Sequence, residues 1–320
     1  MSKKSYSKAL NEALAHAMRE DPNVFVLGGD IETGLFKVTA GLVEEFGRNR
    51  IRQTPISEAA MTGAAVGAAI MGVRPVLEIG FADIMGISFD HVVQSAAKMR
   101  YIYAGKSACP MVVRAPQGIG VRYGMHHSQC VESWFANTPG LKIVTPSTAY
   151  DAKGLLYASI RDNDPVLFLE HKMLYWKEEE VPDECYSIPL GKGDVKREGK
   201  DVTIVATGMM VPRSLQVAEK VASSGISVEV IDPRTIRPLD KKLILDSIAK
   251  TGRAIVVHES AKFGGIGGEI AATIAEEGFE FLKKPILRLG GKEIPIPFSI
   301  EEAAVVQPEE IEAAIKKLCA

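Results

Sequence analysis

The chain has 320 residues, long for a single hydrophobic core and natural for two domains. Apolar residues make up 46% and charged residues 24%, and the 38 basic and 40 acidic side chains nearly cancel. That balance offers no cationic surface for nucleic acid or an anionic membrane. The four cysteines, Cys109, Cys130, Cys185 and Cys319, are scattered without a Cys-x-x-Cys pair, which argues against a zinc site and leaves reduced thiols in a cytoplasmic protein as the expectation.

The N-terminus has no apolar stretch of signal-peptide type; Leu10, Ala13, Leu14 and Ala17 instead fall on one face of an amphipathic helix. Buried strands are then expected at "VFVLGG", "RIRQTPI", "RPVLEIG", "PMVVRAP", "LKIVTPS" and "PVLFLEH", each nearly continuously apolar, as parallel strands should be. Helices are expected between them at Thr39–Phe46, Glu58–Met71, Ser88–Tyr103 and Thr148–Arg161, the last starting at Ser147 and Thr148 with Asp151 in its first turn. From Trp176 to Lys200 the sequence is charged and broken by Pro and Gly, which suggests a linker with a short strand. A second alternation follows, with strands "DVTIVATG", "ISVEVID", "RAIVVHES" and "PILRLGG" and helices at Ser214–Ser223, Lys241–Ala249 and Glu269–Glu277. Alternation of this kind gives an α/β protein of two doubly wound domains, with boundaries at 1–180 and 196–320 and a linker at 181–195. The run from Ala59 to Val73 is apolar but too short to span a bilayer.

Few segments stand out as chemistry. "FGGIGGE", Phe263 to Glu269, lies between a strand and a helix, where a phosphate loop would sit, but it fails both familiar glycine spacings and suggests close packing instead. "GMHHSQC", Gly124 to Cys130, lies in a loop after a strand, where α/β sheets place ligands. His126 and His127 are neighbours, so at most one faces a given site. His91 suits a helix surface or helix packing, and His258, ending a strand, suits either a crevice or a satisfied polar cap. Gly63 and Gly67, among alanines, suit a close helix approach. Glu58 is the single acid at the mouth of a helix otherwise made of small and apolar residues. It either complements the helix dipole or faces a ligand. These residues alone give candidates, Glu58 and His127, and no reaction.

Taken in order, "DPNVFVLGGDI", "FKVTAGLVEEFGRNRI", "TPISE", "AAVGAAIMGVRPVLE", "VVRAPQG", "HSQ", "PGLKIVTPSTAYDAKGLL" and "DPVLFLEHKMLY" resemble the beta subunit of the decarboxylating component of 2-oxo acid dehydrogenase complexes. The resemblance continues through "VEVIDPRTIRPLD" and "IPIPFS", and leans slightly toward the acetoin enzymes of the pyruvate and acetoin group. It implies a pyrimidine-binding thiamine-diphosphate fold followed by a transketolase C-terminal-like domain. It further implies an α2β2 heterotetramer holding thiamine diphosphate at each alpha/beta interface, the alpha subunit carrying the Gly-Asp-Gly…Asn-Asn motif for the diphosphate and its magnesium. That motif is absent here, so this chain would supply the pyrimidine half. The substrate would be a small 2-oxo acid or acetoin, and the acyl group would pass to lipoyl-lysine on an acyltransferase core docked to the second domain.

By the same resemblance, Glu58 hydrogen-bonds the aminopyrimidine ring nitrogen and should be largely buried with a raised pKa. His127 sits at the reacting carbon as proton donor or orienter. Met111, with Ser159, Asp162 and Asp164, marks a place where relatives hold potassium. Two positions depart from the family: Gly29 stands where an acid is usual beside the cofactor, and Ile84 where an aromatic packs on the pyrimidine. Rival readings are half of a split transketolase or deoxyxylulose-phosphate synthase, and a non-catalytic assembly subunit.

Overall fold

The computed structural model describes residues 1–320 and builds them into two α/β layers systems around parallel sheets. The strands are β1 (Ser2–Ser5), β2 (Val24–Gly28), β3 (Ile51–Gln53), β4 (Arg74–Glu78), β5 (Val112–Gln117), β6 (Lys142–Val144), β7 (Val166–His171), β8 (Glu178–Val181), β9 (Asp194–Arg197), β10 (Val202–Ala206), β11 (Val228–Asp232), β12 (Thr235–Arg237), β13 (Ala254–Ala261) and β14 (Leu287–Gly291). The first sheet runs β12-β6-β7-β5-β4-β2-β3 and is parallel except for β12. The second runs β14-β13-β10-β11-β9 and is parallel except for β9. β1 and β8 form a separate antiparallel pair, Ser2 opposite Val181, which ties the N-terminus to the end of the first domain. Each strand read from an apolar run is present, because helices cover both faces and leave every residue of β5, β7, β10 and β11 buried.

The second domain reaches into the first. β12 leaves the second domain to pair with β6, Thr235 opposite Val144, and Ile236 joins a core that runs from Leu77 and Leu167 to Ile248 and Val256. The charged stretch from Trp176 to Lys200, expected to hold one short strand, holds two, β8 and β9.

The helix Tyr6–Glu20 begins at Ser5, whose Oγ accepts from Lys8 N, and Ala149–Arg161 begins at Thr148, whose Oγ1 accepts from Asp151 N. The small-residue helix spans Glu58–Ile70. Its Gly63 gives room to the His91 ring, since a Cβ there would stand 3.2 Å from Cε1; Gly67 faces open space. The expected continuous helix Ser88–Tyr103 is broken. Met85–Asp90 is α-helical, His91–Ser95 widens into a π turn, Ala96–Lys98 tightens to a 3-10 turn, and Met99–Ile102 ends it. Two close approaches accompany the change of pitch: the His91 ring on Gly63, and the Gly140 backbone against the Ala97 carbonyl, 1.9 Å from where a Cβ would lie.

The glycines of "FGGIGGE" serve packing. A Cβ on Gly265 or Gly267 would lie 2.3 or 2.5 Å from the His258 ring, so the turn and the helix Gly267–Glu277 close directly over that imidazole. His258 donates or accepts through Nδ1 with Ser260 Oγ at 3.0 Å, Ser260 Oγ donates to Glu132 Oε1 of the first domain at 3.0 Å, and burial pushes His258 down to about 4. A polar cap of the domain interface, not a phosphate loop, explains this motif. No helix is long and apolar enough to cross a membrane.

Candidate active site

Five neighbouring parallel strands, β3, β2, β4, β5 and β7, end at one edge of the first sheet, and the candidate cofactor and catalytic residues follow four of those ends. Gly29 follows β2, Glu58 follows β3, Ile84 follows β4 and His127 lies in the loop after β5. The crevice beyond the carboxyl ends of parallel strands is where α/β sheets bind ligands, because helix N-termini and loop N–H groups converge there.

Glu58 opens its helix directly after Ser57, which makes no side-chain cap. The hydrogen bonds at Glu58 go to its main-chain carbonyl, from Thr62 Oγ1 at 2.6 Å and Ser88 Oγ at 3.2 Å, and leave the carboxylate free. The side chain is half-buried by this chain's own residues, against the largely buried acid expected of the assembled site. Ile56, 75% exposed, stands beside Gly29, where a Cβ would meet only Ile56 Cγ1, at 3.4 Å. Ile84 is half-buried on a 3-10 turn, Ala82–Ile84.

Phe81, ahead of that turn, packs edge-on against the His127 ring at 4.5 Å between centroids, with Tyr123 5.6 Å from Phe81. The main chain of His127 is held as well, since Lys172 Nζ donates to its carbonyl. Lys172 is fully buried; burial pulls its pKa down against Asp83, Cys130, Glu259 and Glu301, which raise it. Asp83 Oδ1 accepts from Gln129 N at 3.0 Å and Nε2 at 2.9 Å, joining the loop after β4 to the loop after β5. His126 is exposed. The sequence reading missed Phe81 and Lys172. Their only local signal is an aromatic and a lysine immediately past a buried strand end.

Beneath the site, Arg114 on β5 clamps Glu170 on β7 through Nε and Nη2 at 2.6 and 2.8 Å and Glu78 on β4 through Nη1 at 2.6 Å. Tyr175 Oη donates to the same Glu170 at 2.6 Å. Burial pushes Glu78 above the usual carboxylate range, more than Arg114 offsets.

The donor set fits a thiamine-type pyrimidine: a free carboxylate at a helix mouth, half-buried aliphatic and aromatic side chains, and buried oxygens of Thr54, Asp83 and Ser128 left without a partner in the same loops. The potassium expectation concerns other residues. Met111, Ser159, Asp162 and Asp164 do converge, and Met111 O accepts from Val166 N at 2.9 Å, Ser159 O from Asp162 N at 3.3 Å and Asp162 O from Arg74 Nη1 at 2.9 Å. Lys142 Nζ lies 2.5 Å from Asp162 and 3.5 Å from Asp164, and Arg100 pairs with Asp164. Lys142 and Arg100 meet these acids at side-chain oxygens, and the three carbonyls, the kind of atom the resemblance gives to potassium, each keep a second lone pair.

Cys130, His171 and Glu259 offer ligand atoms within 4.8 Å of one another. His171 spends both ring nitrogens, accepting from Met173 N at 3.2 Å and meeting Glu259 Oε2 at 2.8 Å. Burial and the nearby carboxylates push the Cys130 thiol well up, so the group is a neutral thiol beside a hydrogen-bonded His171–Glu259 pair.

The two halves of this architecture define a class. Residues 2–177 match the transketolase pyrimidine-binding domain and residues 191–311 the transketolase C-terminal domain. A solved split-gene transketolase, in its inactive beta4 tetramer, superposes with a TM-score of 0.81 at 23% identity over 98% of both chains. A transketolase from Leishmania mexicana gives 0.71 at 16% over all of this chain and 46% of its own, and both show the fold alone.

Sequence relatives narrow the class. The chain is 48% identical to the 2-oxoisovalerate dehydrogenase subunit beta of Bacillus subtilis (strain 168), over 99% of both chains. It is 45% identical to the acetoin:2,6-dichlorophenolindophenol oxidoreductase subunit beta of the same organism, over 96% of this chain and 94% of that one. It is 44% identical to the pyruvate dehydrogenase E1 component subunit beta-2, mitochondrial, of Oryza sativa subsp. japonica, over 98% and 85%. The chain belongs to the family of E1 beta subunits of thiamine-diphosphate-dependent 2-oxo acid and acetoin dehydrogenases. The slight leaning toward acetoin enzymes finds no separate support, since the branched-chain relative is at least as similar.

Proposed function

We propose that this chain is the pyrimidine-side half of a 2-oxo acid dehydrogenase whose substrate is 2-oxoisovalerate, pyruvate or acetoin, and that it works only in an α2β2 assembly. The carrying observation is the free Glu58 carboxylate at a helix mouth, at the same strand-end edge as the His127 loop. Thiamine diphosphate, held by its diphosphate and magnesium on the alpha subunit, supplies the carbon nucleophile and electron sink. Glu58 accepts or shares the proton of the aminopyrimidine ring nitrogen, fixing the tautomer. Ile84 supports the ring, and Gly29 leaves space where relatives carry an acid. His127, fixed by Phe81 and Lys172, holds a proton for the reacting oxygen during acyl transfer to a lipoyl-lysine of the acyltransferase partner. Water is excluded once the alpha subunit covers the half-buried acid.

The test is Glu58→Gln in the chain assembled with its alpha subunit. Turnover should fall by about 100-fold or more, since the amide cannot share the ring proton, while the assembly and its melting temperature persist. Unchanged turnover refutes the reading.

A further inference from the structure

The loop carrying His127 has few backbone partners of its own. Gly118 N donates to Gln129 O at 3.0 Å and closes its base, and His127 N donates to Gly124 O at 3.2 Å. The N–H groups of residues 119, 120 and 122 have no carbonyl within the loop and point instead at two carboxylates of the second domain. Ile119 N donates to Glu259 Oε1 at 2.8 Å. Gly120 N donates to Glu301 Oε1 at 2.8 Å, and Arg122 N lies 3.2 Å from both Glu301 oxygens.

Both acids are almost fully buried, and each is anchored from behind. Glu259 spends its second oxygen on His171, and although burial pushes its pKa up, His171 and the Ile119 N–H hold it below the usual range. Glu301 opens a 3-10 turn, Glu301–Ala304, tied down by Lys292 N on Ala304 O at 2.8 Å and by Arg213 Nη2 on Glu302 at 3.0 Å. The loop they grip is shaped so that it cannot drift freely. Gly118 has φ +81°, with the place of its missing Cβ only 2.0 Å from His171 Nε2, and Arg122 is held at φ +54°, a region costly for a side-chain-bearing residue. Charge-assisted bonds from buried carboxylates are about twice as strong as neutral ones, enough to hold such a backbone.

We propose that Glu301 and Glu259 are positioning residues for His127, so that the second domain sets the geometry of the site in the first, beyond any part in assembly. The proposal rests on the reading of His127 as the proton-holding group. A displacement of about 1 Å in such a group costs on the order of 100-fold in rate. Any shift of the second domain relative to the first is thereby transmitted to the site through two hydrogen-bonded acids.

The experiment compares Glu301→Ala with Glu301→Gln. Gln keeps an oxygen where Oε1 stands, the atom that accepts from both Gly120 and Arg122. Amide hydrogen exchange is read on the full chain without cofactor or partner, and kcat and KM on the assembled enzyme with whichever of 2-oxoisovalerate, pyruvate or acetoin the wild type turns over. Expected for Glu301→Ala are exchange at least about 10-fold faster at residues 120 and 122 with the strands beneath unchanged, kcat down by about 10–100-fold and KM nearly constant. Glu301→Gln should restore most of both. If Glu301→Ala does not fold, Glu301→Asp, one methylene short, replaces it against Gln.

In a His127→Ala background, Glu301→Ala should add no further loss. The same factor lost in that background places Glu301's action elsewhere and overturns the proposal, as does unaltered exchange, or faster exchange with unaltered kcat. A His127→Ala enzyme with full activity removes instead the proposed role of His127, and the exchange data then still report whether Glu301 holds the loop.

Discussion

Replacing Arg114 by Met tests what fixes the two loops that frame the site. Met fills most of the guanidinium's space with no charge, so the change isolates the ion pairs from a cavity. Arg114 is 2% exposed and Glu170 fully buried, and three N–H···O contacts of 2.6–2.8 Å disappear together. Removing one partner of a buried ionic group costs about 3–5 kcal/mol, because the carboxylates left behind have no water to replace the guanidinium. The loss should depend on pH. Glu78 already lies above its usual range through burial, and without Arg114 it rises further. The folded variant then holds a proton that the unfolded chain has released, and stability falls as pH rises from the ordinary carboxylate value through the raised one. Urea unfolding followed by the fluorescence of Trp134 and Trp176 should show the smaller deficit near pH 5.5 and the larger near pH 8. A deficit below about 1 kcal/mol, or one equal at both pH values, would refute the account of the clamp.

Two further outcomes follow from the second domain. Gly267→Ala gains up to about 1 kcal/mol of helix propensity but drives a methyl to about 2.5 Å from the His258 ring, so net destabilisation of about 1–2 kcal/mol is expected in thermal melts, relieved in the double variant with His258→Ala. Asp232, raised to about 7 by burial and by Asp151, accepts from Ser147 Oγ and from Arg234 N at 2.7 Å. Its folded value above its unfolded one means that wild-type stability, measured against Asp232→Asn, should fall between about pH 4 and pH 7 and level off above, with a ceiling of about 4 kcal/mol. A difference that grows with pH would show that Lys196 and Arg234 dominate instead.

The buried strands were legible because parallel strands covered on both faces must be apolar nearly throughout, as "PVLFLEH" and "ISVEVID" are. Of the short charged strands, only one was expected between Trp176 and Lys200, where β8 and β9 both form, and β1 and β12 were not read. "EEEV" and "DVKR" pair along one side only and keep charges on the solvent face, and "TIR" earns its place by pairing with a strand more than ninety residues earlier. The last helix, Pro308–Cys319, carried readable signals that were passed over: Pro at its start, a capping box from Gln307 and Glu310, and Ile311, Ala314, Ile315 and Leu318 on one face. The helix break at His91 depends on Gly63 and Gly140, distant in sequence, so local periodicity predicts a straight helix there. In the site, Glu58 and His127 stood out as candidates from their local sequence, and the family pattern supplied the roles expected of them. Phe81, Lys172 and Glu301 act through contacts that no spacing encodes.

The half-burial of Glu58 and the pattern of exposed apolar groups bear on one question, why the proposed site would take a second chain. The helix Glu58–Ile70 and the broken helix from Met85 to Ile102 pack on each other and present Met71, Ile87, Tyr101 and Ile102 outward, Met71 and Tyr101 being 84% and 91% exposed. Ile56, beside Gly29 and Glu58, is exposed as well. Apolar side chains in this number on two adjoining elements are costly in water and mark an interaction surface. In the role proposed for Glu58, a carboxylate facing a ring nitrogen gains from a dry, low-dielectric setting, which this chain's own residues build on one side only. A partner seated on this face would bury the apolar groups and complete the cover of Glu58 in one step, so that assembly and the competence of the acid become the same event.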